Sequence, residues 1–472
     1  MEEMKNTKFI NILIATVGTL AFSGAAQAES LLEIYQQALQ SDPQIHEAEA
    51  RRLAALEAQP QARGLMLPQL GFGGSYTKSE SDGNSIEIDS DGSFGVASAF
   101  ETDTTRWQFQ LTQTIFNWDR IVGLRQADKI VAKAEAQREA AQQDLIVRVA
   151  QRYFDVLAAE DRLASIQADR EAIARQLEQA KQRFEVGLIA ITDVQESQAA
   201  FDQSIAAEIG AKRSLASTRE FLREITGEYV TKLNAPGDDF PLQNPEPNVE
   251  ATWVELSLKQ NLALVASRLD EGLARDEISF RRNGHYPSIE LVATTGEQDI
   301  NGSRSLNNNP SFTANSDSTN DSIGVQFNLP LFAGGRTSSR VKEAVYLHRA
   351  SREQLQRVTR ETERLARDAY LGVLSEVARV KALEQAVTSS RTALQATQAG
   401  YEVGTRTIVE VLRSQFSLYL AITNYYQSRY DYIMNGLRLK QAAGTLQIQD
   451  LEQIDRWLKA RNAPGEVRPD PR

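Results

Sequence analysis

YEVGTRTIVEVLRSQ, from Tyr401 to Gln415, has a counterpart in FEVGLIAITDVQESQ, from Phe184 to Gln198, 217 residues earlier. The match extends outward from this stretch. NLPLFAGGR, Asn328 to Arg336, repeats TQTIFNWDR, Thr112 to Arg120, at a separation of 216. LKQNLAL, Leu258 to Leu264, repeats LQSDPQI, Leu39 to Ile45, at 219, and the same step carries Pro68 onto Pro287. Nearly equal separations in one order imply an internal duplication. The two repeats span residues 29–233 and 249–451. Between them lies the linker 234–248, NAPGDDFPLQNPEPN, whose prolines oppose continuous helix. Residues 452–472 end in RNAPGEVRPDPR and read as a flexible C-terminal tail.

Each repeat reads as helix, strand, loop, strand and two long helices. The first long tract, Val122 to Glu185, contains no Pro and no Gly after Gly123, and would extend about 96 Å at the helical rise. The second runs from Ser338 to Glu402 and is less regular at Gly372 and Gly400. Helices this long need partners along their whole length, which points to coiled-coil or tube-like packing. The clearest strand sets Trp107, Phe109, Leu111 and Ile115 against Gln108, Gln110, Thr112 and Thr114. Its repeat sets Ile323, Val325, Phe327, Leu329 and Leu331 against Gln326 and Asn328. Less regular partners span residues 68–78 and 287–297. Strands with one apolar and one polar face suit a membrane barrel, although a soluble β-sandwich face has the same pattern. Four strands do not close a barrel, so several chains must share one sheet. Residues 79–93 and 299–320, rich in Ser, Asn, Asp and Gly, read as exposed loops outside the cell.

At the N-terminus, Lys5 and Lys8 precede an apolar run from Phe9 to Ala21 that closes with Ala26-Gln27-Ala28, a secretory signal pattern over residues 1–28. No later stretch has the roughly 20 consecutive apolar residues of a membrane helix. The 63 acids against 52 bases give a net charge of -11, which opposes broad nucleic-acid binding. There is no Cys, so disulfides and thiol chemistry are excluded. His46, His285 and His348 lack metal-ligand spacing, and the paired glycines of FAGGR are missing from the repeat copy FNWDR, so they are no phosphate loop. These absences predict neither cofactor nor enzyme activity, and energy for any transport must come from a partner.

Signal, duplication, four alternating strands and paired long helices together resemble the TolC-type outer-membrane efflux and secretion channels of Gram-negative bacteria. The resemblance covers nearly all of the chain beyond the signal and is most specific at GYEVGTRTIVEVLRSQ, Gly400 to Gln415, with YDYIMNGL, Tyr430 to Leu437, in support. It implies a mixed α/β membrane protein. A homotrimer would form a 12-stranded outer-membrane β-barrel, four strands per chain, continued by a long periplasmic α-helical barrel. Its partners would be a periplasmic adaptor protein, an inner-membrane transporter and outer-membrane lipids, and its cargo small molecules or proteins. A periplasmic adaptor or a soluble coiled-coil structural protein would explain the helices but not the strand pairs.

The resemblance also implies site residues. A network keeping the periplasmic entrance shut falls on Thr192, Asp193, Tyr401 and Arg406. An entrance constriction falls on Glu410 and Arg413, where the family's second acid is here a base, and these two could pair along one helix face. Val186, Gly187, Leu188, Val403, Gly404 and Thr405 fall where an adaptor would make contact.

Overall fold

A computed structural model of the protein describes residues 28–85, 96–237, 241–306 and 309–459. The signal pattern lies almost wholly outside them. In the first repeat, α1 (Leu31–Ser41), α2 (Pro43–Leu56) and α3 (Ala58–Gly64) lead to β1 (Gln69–Ser85) and β2 (Val96–Phe116). α4 (Trp118–Glu185) and α5 (Ile191–Thr226) follow. The linker contributes β3 (Ala235–Pro236). The second repeat then runs through α6 (Glu250–Gln260), α7 (Leu262–Arg282), a short 3₁₀ turn, β4 (Ser288–Leu306) and β5 (Asn309–Asn328). It continues with α8 (Arg336–Glu402) and α9 (Ile408–Ala442), and α10 (Ile448–Asp455) and β6 (Leu458–Lys459) close the described chain.

α4 and α9 begin at side-chain caps that the sequence supplies, whereas α5 and α8 begin without one. Asn117 accepts the Asp119 amide in front of α4, whose 68 residues extend about 102 Å. α8, of 67 residues, extends about 100 Å. No helix among the described residues is long and apolar enough to cross a membrane.

The four long strands form one antiparallel sheet in the order β1-β2-β4-β5, so β1 and β5 present unpaired edges. Register places Leu70 opposite Leu111 and Phe72 opposite Phe109, and Ala293 opposite Ile323 and Leu291 opposite Val325, on one apolar face. From Trp107 to Ile115 this band covers about 30 Å of strand, or about 22 Å along a membrane normal at the usual tilt. Gln113 interrupts it only at the lower rim, where its amide donates to the Met66 carbonyl at 2.7 Å. The strands of 17 to 21 residues continue well beyond the band. Much of the segment expected to loop at 299–320 is therefore strand, because ladder pairing needs backbone partners and not apolar alternation. β5 stops at Asn328, short of Leu331, since Pro330 has no amide to donate.

The main core lies where the two repeats meet beside the linker. Tyr153, Phe154 and Leu157 of α4 pack with Ile34 and Tyr35 of α1, with Tyr370 and Val373 of α8, and with Tyr430 and Leu437 of α9. The Phe154 and Tyr430 rings stack at 5.5 Å, and the Tyr430 hydroxyl donates to Asp161 at 2.5 Å. The linker is strapped to this core. Tyr432 donates to the Gln243 carbonyl at 2.9 Å and accepts its amide at 3.0 Å, while the Trp253 indole donates to the Pro247 carbonyl at 2.8 Å. β3 pairs with β6, and Leu451, Ile454 and Leu458 are buried. Residues 452–459 are therefore docked structure and not flexible tail, because their apolar side chains complete the core; the rest of that tail lies outside the described residues.

Candidate entrance gate

Two helical hairpins, α4–α5 and α8–α9, end in equivalent turns. Gly187 and Gly404 adopt φ of 77° and 78°, a left-handed conformation that glycine takes without steric cost. The turns close through Leu188 N to Arg183 O at 2.9 Å and Thr405 N to Gly400 O at 2.8 Å. Each tip presents bare apolar side chains: Val186, Leu188 and Val403 are 70%, 72% and 75% exposed.

The second tip binds its charges locally. Thr407 caps α9, and Glu410 folds back on it, accepting the Thr407 amide at 2.8 Å while the Thr407 hydroxyl accepts the Glu410 amide at 3.4 Å. Arg406 donates to the other Glu410 oxygen at 2.7 Å. The Thr407 amide, and after it the Arg406 guanidinium, hold the Glu410 carboxyl below its ordinary range. The expected pairing of Glu410 with Arg413 does not form. A helical side chain at the third position leans toward the N-terminus, so Glu410 turns to its cap while Arg413 stays exposed one turn on.

Nor does the predicted closing network assemble within one chain. Among the described residues, no hydrogen bond or ion pair joins Thr192 or Asp193 to Tyr401 or Arg406. Asp193 lies in the first turn of α5, where its carbonyl accepts the Ser197 hydroxyl at 2.8 Å. The Tyr401 hydroxyl is buried without a partner, and the Arg183 guanidinium lies 5.1 Å from the centre of its ring. A cleft of about 720 Å³ opens here between the hairpins, lined by Gln176, Gln182, Arg183, Tyr401 and Ile408.

The contact that does bridge the hairpins was not anticipated. Gln415 on α9 is 1% exposed and donates to the Asp169 carboxylate at 2.7 Å and to the Asp169 carbonyl at 3.1 Å. Gln176, about two turns further along α4, donates to the Gln415 carbonyl oxygen at 2.8 Å. Burial pushes the Asp169 carboxyl above its ordinary value, and the Gln415 bond offsets part of that rise. Only the polarity of Gln415 among buried positions of α9 hinted at it; the partners are 246 and 239 residues away.

The family model for outer membrane efflux proteins matches residues 34–228 and 253–445, one block in each repeat. Outer membrane protein TolC of Escherichia coli strain K12 is 38% identical over 454 residues, 96% of this chain and 89% of the relative. Outer membrane protein TolC of Vibrio cholerae serotype O1 is 39% identical over 446 residues, 94% of this chain and 97% of the relative. The crystal structure of the Campylobacter jejuni CmeC outer membrane channel matches with a TM-score of 0.69 at 15% identity, covering 97% of this chain and 98% of that one, which is a likeness of fold.

Proposed function

Because the chain belongs to the outer membrane efflux protein family, we propose that it is the passive exit duct of a tripartite efflux or type I secretion assembly, gated at its periplasmic end. It is an outer-membrane protein with a large periplasmic helical extension, and it is not an enzyme. One observation carries the duct: an antiparallel sheet with two open edges and one apolar face continues into helices about 100 Å long. Three such sheets joined edge to edge make twelve strands and leave no edge bare.

In this reading the hairpin tips shut the entrance. Asp193 has no side-chain hydrogen bond within its own chain among the described residues and can link to a neighbouring protomer, whereas the buried, unpartnered Tyr401 hydroxyl needs a shift of the tip to do so. Thr192 and Arg406 stand beside them, and the Gln415 contact holds inner hairpin to outer. Glu410 with Arg413 puts charge of both signs at the constriction, which favours weaker cation selectivity than a purely acidic ring. The apolar tips around Val186, Gly187 and Leu188, and around Val403, Gly404 and Thr405, offer the surface for a periplasmic adaptor. An inner-membrane transporter, joined through that adaptor, supplies the energy. Small molecules or proteins are the cargo.

Single-channel recording on the detergent-extracted trimer tests this. The parent should conduct weakly, and the Asp193→Ala/Arg406→Ala variant should conduct several times more. A verified trimer that forms no pore in either form would overturn the duct.

A further inference from the structure

The strands sort their charges by face. Following the register from Phe72, Phe109 and Phe327, the lipid-side face from Trp107 upward carries Glu80, Glu101, Asp103, Glu297, Asp299 and Asp317, with Lys78 paired to Glu101. The opposite face, which in the closed barrel surrounds the lumen, is mostly Gln, Thr, Ser and Gly, with Phe100, Val292 and Ile300 among them. Its charged side chains among the described ones are Glu290, at the base and 3.7 Å from Arg120, and Arg106. Glu290 is eight residues along the ladder from Arg106 and is engaged by Arg120, so it does not balance Arg106. The Arg106 guanidinium donates to the neutral Gln108 amide oxygen at 2.8 Å. Directly across the ladder stands Ser75, flanked on the same face by Gly73 and Gly71. These small residues leave a groove of about 410 Å³ against Arg106, Gln108 and Gln110.

We propose that Arg106 forms a cationic ring in the exit barrel, one guanidinium per protomer, and that this ring favours anionic cargo, such as carboxylates, as it leaves. The inference rests on the duct reading. Apart from Glu290, held by Arg120 at the base, the acids that share these strands cannot cancel the ring where cargo passes. They project from the other face of the wall, toward solvent and lipid, whereas Arg106 faces the confined lumen among neutral neighbours. A carboxylate passing the groove meets a fork of donors from Arg106 with carboxamide and hydroxyl groups beside it, a geometry suited to bidentate binding. The ring acts at the far end of the duct from the tips, so it biases which molecules pass without altering closure.

The chain has no cysteine, so Ser75→Cys introduces a unique thiol opposite Arg106. In the liposome-inserted trimer at low salt, its modification rate is measured with a sulfonate-bearing methanethiosulfonate and with the trimethylammonium analogue. One charge about 6 Å away in water changes each rate about threefold, in opposite directions. Adding Arg106→Gln should therefore lower the anion-to-cation rate ratio about tenfold, and Arg106→Lys should restore most of it. The ratio cancels any change in thiolate fraction, which affects both reagents alike. An unchanged ratio overturns the ring while leaving the duct intact. A conducting trimer whose thiol reacts with neither reagent overturns the inward placement of this face, and the ring with it. A trimer without conductance is the separate failure of the duct reading.

Discussion

Replacing Gln415 by Leu should unlatch the entrance. The parent carboxamide makes three hydrogen bonds between the hairpins, two to Asp169 and one from Gln176. A bond to an ionised group contributes roughly 1.5–3 kcal/mol and a neutral one roughly 0.5–1.5. Leu is close to Gln in volume and regains some apolar burial, so the net loss is about 2–4 kcal/mol per protomer. Removing Gln415 also leaves the half-buried Asp169 carboxylate without its donor. If the inner hairpin leaves the outer one on opening, the lower figure alone multiplies the open-to-closed ratio about 30-fold. Bilayer recordings should show longer and larger openings from the Leu variant. Thermal unfolding of the same trimer is the necessary companion, because a contact made in open and closed states alike would lower the melting temperature and leave gating untouched. Parental conductance together with a lowered melting temperature would refute the latch.

Two further predictions use single groups. Burial raises the Asp169 carboxyl in the closed form, so protonation favours that form: closure strengthens as pH falls from 7 toward the raised value and levels off below the ordinary 3.8. Open probability should accordingly drop as pH falls through the raised value toward 3.8, in the parent more than in Asp169→Asn; Glu410, held down, loses its bonds only below its ordinary 4.5, so the drop above 4.5 reports Asp169. Tyr432→Phe removes both bonds that strap Gln243 to α9 and should destabilise the protomer by about 1–2 kcal/mol, read as a lower urea midpoint with unchanged conductance in the folded trimer.

How far the sequence revealed this depends on the kind of signal each feature leaves. The long helices were legible because good helix formers run unbroken for more than 60 residues, and their observed starts at Trp118 and Arg336 lie within a turn of the expected ones. The lower strands were legible because lipid on one side and lumen on the other enforce alternation. Their upper halves were not, since Ser, Asn and Thr occupy both faces once the strand leaves the apolar band. The linker prolines oppose helix but gave no sign that Tyr432 and Arg429, some 190 residues distant, hold that segment in place. At the gate, Thr407-Ile408-Val409-Glu410 is itself a capping-box pattern, so the fate of Glu410 was readable from spacing alone. The Gln415–Asp169 contact joins two helices through side chains that no periodicity relates.

At the proposed gate the duplication uses one backbone plan twice. Asp193 and Glu410 are repeat equivalents, 217 residues apart, and the residues capping their helices share one conformation: Ala190 at φ -82°, ψ 156° and Thr407 at φ -92°, ψ 158°. The chemistry differs. Thr407 gives Glu410 a reciprocal partner and Arg406 neutralises it, whereas Ala190 has no side-chain oxygen and the equivalent of Arg406 is Ile189. Gln198 shows the same divergence, bonding Asp202 on its own helix at 3.0 Å while its equivalent Gln415 crosses to α4. The first tip thus keeps its acid available and the second consumes its own. Ala190→Thr places a capping hydroxyl where the backbone already accommodates it and gives α5 the cap that α9 has. It should draw the Asp193 carboxylate back onto the new cap and away from any neighbouring protomer. Conductance should then rise toward that of the Asp193→Ala/Arg406→Ala variant although every charge remains, with slower hydrogen exchange at the Asp193 amide reporting that the cap has formed. Slowed exchange with parental conductance would show that Asp193 does not close the entrance.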